Sequence, residues 1–361
     1  MALDHIRDYF HFDAFLHDPL DLRFSPYPLF LTRWITNFCA PTFIFLTGLS
    51  AYLYGLKHTQ NQLSNFLLTR GLWLIFLELT VVYFGWFFGT SGYHPLLMVI
   101  WAIGISMVFL ALVSRLPYMF ILIIGLCIVF LHNLLDGVHF TKGTIGDDFW
   151  ILLHERGGIQ ITDNFKIGVL YPVLPYLGLI CFGFAFGKVF SPQMENAKRK
   201  RILLVTGISC IALFVVLRFP NLYGDAAHWE HQMPSRYDFA SFINTTKYPV
   251  SLLFALMTLG PSILFLYFFN DIRNWFTNIL VTIGKVPMFY YIVHLYLLHL
   301  VAALTESSTT INGMGLPLKS HFHLGGVYLI WISIVLALYF PCKWYGKYKS
   351  AHPEKWWLSY L

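Results

Sequence analysis

Long apolar runs alternate with short polar connectors along almost the whole chain. Nine such runs, at about residues 33–56, 67–88, 95–113, 117–134, 169–188, 201–219, 249–270, 276–301 and 323–343, approach the roughly 20 residues needed to cross about 30 Å of hydrocarbon. The pattern predicts an all-α fold, a polytopic membrane helix bundle with nine complete spans. With no fixed-period repeat and no low-complexity tract, residues 1–361 read as a single membrane domain.

The connectors set the orientation. Lys57 and Arg70, Arg115, Lys188 with Lys198, Arg199, Lys200 and Arg201, then Arg273, and finally Lys343, Lys347, Lys349 and Lys355 fall on one side when the nine spans are threaded in alternation. That side is expected to be cytoplasmic, together with the C-terminus. The opposite side receives residues 11–32, 89–94, 135–168, 220–248 and 302–322, which hold most of the acidic residues, many histidines and the glycine-containing turns expected around Gly137, Gly157 and Gly313. Threading also brings residues 1–10 to the outer face, although ten residues are too few to cross. An incomplete N-terminal helix, its other half lying upstream of Met1, is therefore expected in addition to the nine spans.

Composition agrees with a bilayer as the partner. The chain is 57% hydrophobic and 12% charged with a mean hydropathy of +0.62, against roughly 25% charge in soluble domains. The net charge of +6 is accounted for by the connectors, so no nucleic-acid partner is expected. Cys39, Cys127, Cys181, Cys210 and Cys342 lie in or beside apolar runs without metal-ligand spacing and read as small buried hydrophobes. There is no Walker-type loop, no His-Glu-x-x-His, no Cys-x-x-Cys and no selectivity-filter sequence, and no metal is expected.

Ionisable groups beside hydrocarbon are expensive, so their clustering points to chemistry. Asp4, His5, Arg7, Asp8 and His11 crowd the first eleven residues. On a helix Asp4, Asp8 and His11 form one stripe with His5 and Arg7 at its edges. A carboxylate beside an imidazole fixes its tautomer, as a general base requires. Paired charges at an interfacial helix end are the structural alternative. His294 lies inside an apolar run, with His299 nearer its outer end; Lys285, near the cytoplasmic side, could meet phosphate or snorkel. Pro41 and Gly48 suggest a bend and a close helix contact, with Asn37, Thr42 and Thr47 lining a cavity or simply packing. Asn244-Thr245-Thr246-Lys247-Tyr248-Pro249 reads as helix capping. Glu78, the one carboxylate in mid-run, needs a partner or a proton.

Asp4-His5-Ile6-Arg7-Asp8, the Asn37 to Gly48 segment, Tyr171-Pro172-Val173-Leu174-Pro175-Tyr176-Leu177-Gly178, the Asn244 to Pro249 segment and Gly284 to His294 together resemble the bacterial membrane proteins grouped with the catalytic domain of heparan-alpha-glucosaminide N-acetyltransferase, within the transmembrane acyltransferases. The resemblance covers essentially the whole chain and rests on the order of its blocks. It implies transfer of an acetyl group from cytoplasmic acetyl-CoA, the acyl donor, to an amino or hydroxyl group of a sugar or glycan on the far side. Family members carry an Arg-Gly pair that here would precede Met1. One family spacing places the catalytic histidine at His5; another places it further on, at His11 or His17. The membrane histidine of the last block falls on His294. Together with the charged stripe, the resemblance makes His5, Asp4, Asp8, His11 and His294 the catalytic candidates, and the mechanism expected from it makes Asn37, Arg70, Lys285 and Tyr290 the donor-binding ones. A transporter or permease for a small polar or anionic substrate is the rival function, and self-association into a homo-oligomer is left open.

Overall fold

The computed structural model describes residues 1–14, 16–88, 93–305, 322–355 and 357–358. The chain is 69% helix. In order, the described α-helices are α1 (Ala2–Phe10), α2 (Tyr27–Thr36), α3 (Cys39–Gly55), α4 (Gln60–Leu77), α5 (Tyr83–Phe87), α6 (Val99–Val113), α7 (Tyr118–Leu131), α8 (Ile145–Leu153), α9 (Leu174–Phe186), α10 (Asn196–Arg218), α11 (Asp238–Ile243), α12 (Leu252–Phe269), α13 (Trp275–Gly284), α14 (Pro287–Thr305) and α15 (Leu324–Ala351). A π-helical turn, Glu78–Val82, joins α4 to α5. Seven described stretches are long and apolar enough to cross a membrane: Tyr27–Gly55, Gln60–Phe87, Tyr118–Leu135, Asn196–Arg218, Leu252–Phe269, Pro287–Leu304 and Leu324–Ala351. Two of the nine expected spans, at 95–113 and 169–188, correspond to the shorter apolar helices Val99–Val113 and Leu174–Phe190, which fall below that length.

Proline chemistry moves two boundaries. The run at 276–301 is divided, because Pro287 has no N–H for the carbonyl of Ile283 and disfavours helical backbone at Val286. The Val286 N–H closes a tighter bond to Ile283 O at 3.1 Å, and α14 begins at Pro287. Pro41 does not bend the middle of a helix. It sits in the first turn of α3, where its missing N–H would have no intrahelical acceptor.

The helices segregate into two compact units: residues 37–79 with 94–270, and residues 1–36 with 80–93 and 271–361. In the first unit, helix pairs cross where glycines let backbones touch. A Cβ on Gly71 of α4 would stand 2.6 Å from Gly104 O of α6, and one on Gly104 2.7 Å from Gly71 O. Gly207 of α10 and Gly260 of α12 face each other in the same way, at 3.1 and 3.2 Å. Gly48 of α3, as its sequence context suggests, would run into the backbone of Ile180 in α9. Glu78 finds its partner at a helix end: the carboxylate accepts from the N–H groups of Ile100 and Trp101, the latter at 3.0 Å. It thus caps α6, whose own N-cap position, Met98, offers no side-chain acceptor.

An all-α fold is not the whole of it. The connector at 135–168 carries a hairpin of β2 (Gly157–Thr162) and β3 (Phe165–Val169), and β3 also pairs in parallel with β1 (Leu96–Leu97). Gly157 lies in β2 opposite Val169, where a side chain would press on Ile151 at 3.1 Å, and so is not a turn residue. Gly137 is in a turn as expected, and Gly313 lies outside the described residues. The Asn244 to Pro249 segment does not cap α12. Ser251 does, accepting from Phe254 N–H at 3.0 Å. Thr246 is instead tied to Asp225 through its N–H and hydroxyl, at 2.8 and 2.7 Å.

Candidate active site

The second unit holds the N-terminal charge cluster. In α1 the residues Ala2, Leu3, Ile6, Tyr9 and Phe10 recur at one to four positions' spacing and are buried, with Ile6 and Phe10 fully so. Asp4 in the first turn and Arg7 in the last suit the helix dipole. The helix stops at Phe10. His11 is extended and bridges to Phe322, so it leaves the stripe that a longer helix would have made with Asp4 and Asp8.

Tyr9 anchors the helix end. Its hydroxyl donates toward the carbonyls of Gly85 and Trp86, each at 3.3 Å, and lies 3.3 Å from His299 Nδ1. Its ring stacks on Trp86 at 5.5 Å. One face of α1 is closed by ion pairs. Arg7 reaches Asp8 at 2.5 Å and Asp4 at 3.1 Å, and Arg33 of α2 also pairs with Asp4. The carboxylates expected to orient His5 are thus engaged by guanidinium groups.

The orienting group beside His5 is His294. Nδ1 of His5 and Nε2 of His294 are 2.9 Å apart, and Nδ1 of His294 is 2.8 Å from the carbonyl of Tyr290, one turn earlier in α14. The two imidazoles are nearly parallel, 12° apart, with centroids separated by 5.1 Å. That separation suits rings sharing an in-line hydrogen bond. A carbonyl oxygen only accepts, so His294 carries its proton on Nδ1. Neutral His294 then offers a lone pair at Nε2, and His5 must donate to it from Nδ1. Nε2 of neutral His5 is left as the basic nitrogen. The relay selects a tautomer, which is what a base needs from its neighbour.

Trp86 and Tyr291 stand edge-on to the His5 ring, at 4.9 and 5.8 Å. The buried indole N–H of Trp86 has no acceptor among the described residues. Neither aromatic residue is singled out by the sequence, because both sit in apolar runs that read as plain membrane helix. Tyr290, buried against His294 with rings 5.3 Å apart, serves the relay through its carbonyl.

The remaining candidates stand apart from the pair. Nδ1 of His11 accepts from the N–H of Asp13 at 3.3 Å, which occupies the lone pair a base would use. His17 is exposed and stacks on Phe24 at 4.6 Å. His299 lies 3.1 Å from the Trp86 carbonyl. Lys285 is exposed at the C-terminal end of α13 and has no anionic partner among the described residues. In the other unit, Asn37 is buried with its side-chain oxygen unpartnered, and the Arg70 guanidinium lies over the Phe66 ring at 4.6 Å.

That other unit also contains an acid–imidazole contact not foreseen. Asp136, just beyond α7, accepts from His154 Nε2 at 2.9 Å and from Asn133 at 2.9 Å. Burial works to raise its pKa, but those two hydrogen bonds and the charge of His154 outweigh it and hold the carboxyl below its ordinary value. Among the described residues no group of three or more His, Cys, Asp or Glu side chains could hold a metal ion.

The family model described as heparan-alpha-glucosaminide N-acetyltransferase, catalytic, matches residues 9–218. No curated protein and no solved structure matches the chain significantly. The matched range takes in His11, Asn37 and Arg70 but stops short of both His5 and His294. Since it covers more than half of the chain, this integral membrane protein belongs to the heparan-alpha-glucosaminide N-acetyltransferase catalytic family and is a transmembrane acetyltransferase.

Proposed function

We propose that the chain transfers an acetyl group from cytoplasmic acetyl-CoA to an amino or hydroxyl group of a sugar or glycan on the opposite side of the membrane, with His5 as general base. The observation that carries this reading is the relay from the Tyr290 carbonyl through His294 to His5, which leaves Nε2 of His5 as the proton acceptor.

Nε2 of His5 takes the proton from the acceptor's N–H or O–H as that atom forms its bond to the acetyl carbonyl carbon. The carbon–sulfur bond breaks, and the same nitrogen returns the proton to the departing thiolate, so atoms and charge balance. His294 accepts a hydrogen bond from His5 throughout and steadies the imidazolium that forms between the two steps. The Trp86 N–H is the donor beside His5 for the carbonyl oxygen as it gains charge. In the unit that holds the relay, Lys285 is the cation assigned to the phosphates of acetyl-CoA, and Tyr290 is assigned to its arm. The connector charges support a cytoplasmic C-terminus, and the resemblance to bacterial membrane proteins supports a bacterial plasma-membrane location.

The test is acetyl transfer from acetyl-CoA to glucosamine by the full chain. His5→Ala should lower transfer by about 10²- to 10⁴-fold, with CoA binding little changed. If His5→Ala stays near full activity while His11→Ala or His17→Ala abolishes transfer, the base belongs to the outer segment. Transfer retained in all three variants rejects the mechanism.

A further inference from the structure

His299 is an imidazole that the relay does not use, yet three segments of the same unit hold it in place. Its Nδ1 lies 3.1 Å from the Trp86 carbonyl and 3.3 Å from the Tyr9 hydroxyl. Phe88 covers one face of the ring, with centroids 3.9 Å and planes 24° apart, and Tyr9 meets the ring edge-on at 5.8 Å. Because a carbonyl only accepts, neutral His299 carries its proton on Nδ1 and keeps a lone pair on Nε2. The residue is half-buried, and no hydrogen bond reaches that Nε2 among the described residues.

The fold holds this ring at a cost. Phe88 lies against it from a left-handed backbone, φ 46° and ψ 27°, which is strained for a bulky side chain. Such conformations persist where their surroundings enforce them, and they gather at ligand clamps and active sites. The end of α5 also leaves the Gly85 and Trp86 carbonyls to be satisfied from outside the helix, by the Tyr9 hydroxyl at 3.3 Å from each and by His299 at Trp86. Capping those carbonyls needs only a donor, which a lysine or arginine also supplies. The imidazole adds an acceptor, fixed in direction by its other nitrogen and left open. Trp86 links that acceptor to the base: its indole stands 4.9 Å from the His5 ring, and its carbonyl holds His299. Along α14, His299 lies five residues beyond His294, about 7.5 Å of helix rise, toward the connector at residues 302–322 that is expected outside.

We propose that His299 binds the acceptor: its Nε2 accepts a hydrogen bond from a hydroxyl of the same sugar whose amino or hydroxyl group gives its proton to His5. This rests on the acetyl-transfer reading of that site and deepens it, because a hydroxyl-bearing acceptor is then preferred to a simple amine. Binding of a sugar at His299 is nevertheless measurable without any transfer.

The experiment uses the full chain in nanodiscs and reads two quantities: the Kd for glucosamine by titration calorimetry without acetyl-CoA, and kcat and KM for glucosamine in acetyl transfer. His299→Ala should raise both Kd and KM by about 3- to 10-fold, as loss of one hydrogen bond does, with kcat little changed. His299→Gln can donate to the Trp86 carbonyl and still accept, so it should bind close to wild type. His299→Arg keeps a donor and a charge suited to a helix C-terminus but has no acceptor, and should bind as weakly as His299→Ala. Among singly deoxygenated glucosamines, one should bind the wild type more weakly than glucosamine does and bind His299→Ala equally well. A wild-type chain that binds glucosamine without acetylating it counts against the transfer mechanism and leaves this assignment standing. Affinity retained in His299→Arg reduces His299 to a helix cap and overturns the proposal. Unchanged Kd and KM in His299→Ala, a wild-type chain that does not bind glucosamine, or the same response to every deoxygenated sugar in both proteins overturns it as well.

Discussion

Nδ1 of His5 and Nε2 of His294 meet at 2.9 Å across 289 residues of sequence. Only one neutral arrangement of protons satisfies both that contact and the carbonyl of Tyr290 behind it. The pair should therefore act as a unit. His294→Ala should lower kcat by about 10- to 100-fold, as loss of an orienting partner does, with the KM for acceptor little changed. The double variant with His5→Ala should be scarcely slower than His5→Ala alone, since residues acting together lose activity non-additively. Multiplicative losses in steady-state transfer would show two independent roles.

Arg7 stands between Asp4 and Asp8 with a side chain only 7% exposed. Arg7→Met would leave the partly buried Asp8 short of a counter-charge and Asp4 with Arg33, and the expected loss is about 3 kcal/mol. The measurement is thermal unfolding in detergent. Arg23→Met, which removes an exposed pair with Asp21, is the matched control and should leave the midpoint unchanged.

The contact between Gly71 and Gly104 leaves no room for a methyl group. Gly71→Ala should cost about 1–3 kcal/mol through overpacking of α4 against α6. A Cβ at Gly137 meets nothing within 4 Å, so Gly137→Ala should be nearly neutral in the same unfolding assay. Equal effects would mean that α4 and α6 are not in backbone contact.

Asp136 gives the fold an acid-sensitive contact outside the spans. Because its pKa is lowered in the folded chain, its contribution is full above the ordinary carboxylate pKa and fades as pH falls through the folded value. Asp136→Asn should therefore reduce stability at neutral pH and flatten the decline below about pH 4. Unfolding midpoints from pH 7 to pH 3 for both proteins would check this, and parallel curves would count against it.

Apolar runs located the seven stretches able to cross a membrane, though not their number, because hydrocarbon demands about 20 apolar residues whatever the tertiary arrangement. The limits at 201–219 and 249–270 agree with Asn196–Arg218 and Leu252–Phe269 to within a few residues. The hairpin at Gly157–Val169 had a signal too, in the alternation Ile159-Gln160-Ile161-Thr162 and the Asp163-Asn164 turn, but the reading placed residues 135–168 in an outer connector with a turn around Gly157.

Charge density marked Asp4, His5, Arg7 and Asp8, and an imidazole in an apolar run marked His294, because ionisable groups are costly near lipid wherever they end up. Their partners could not be read the same way. Helical spacing put carboxylates beside His5, whereas packing of α1 beside α14 supplied His294 and left the carboxylates to Arg7 and Arg33. One-dimensional order records which groups are expensive to bury; what each is buried against depends on which helices pack together, and only the tertiary structure decides that.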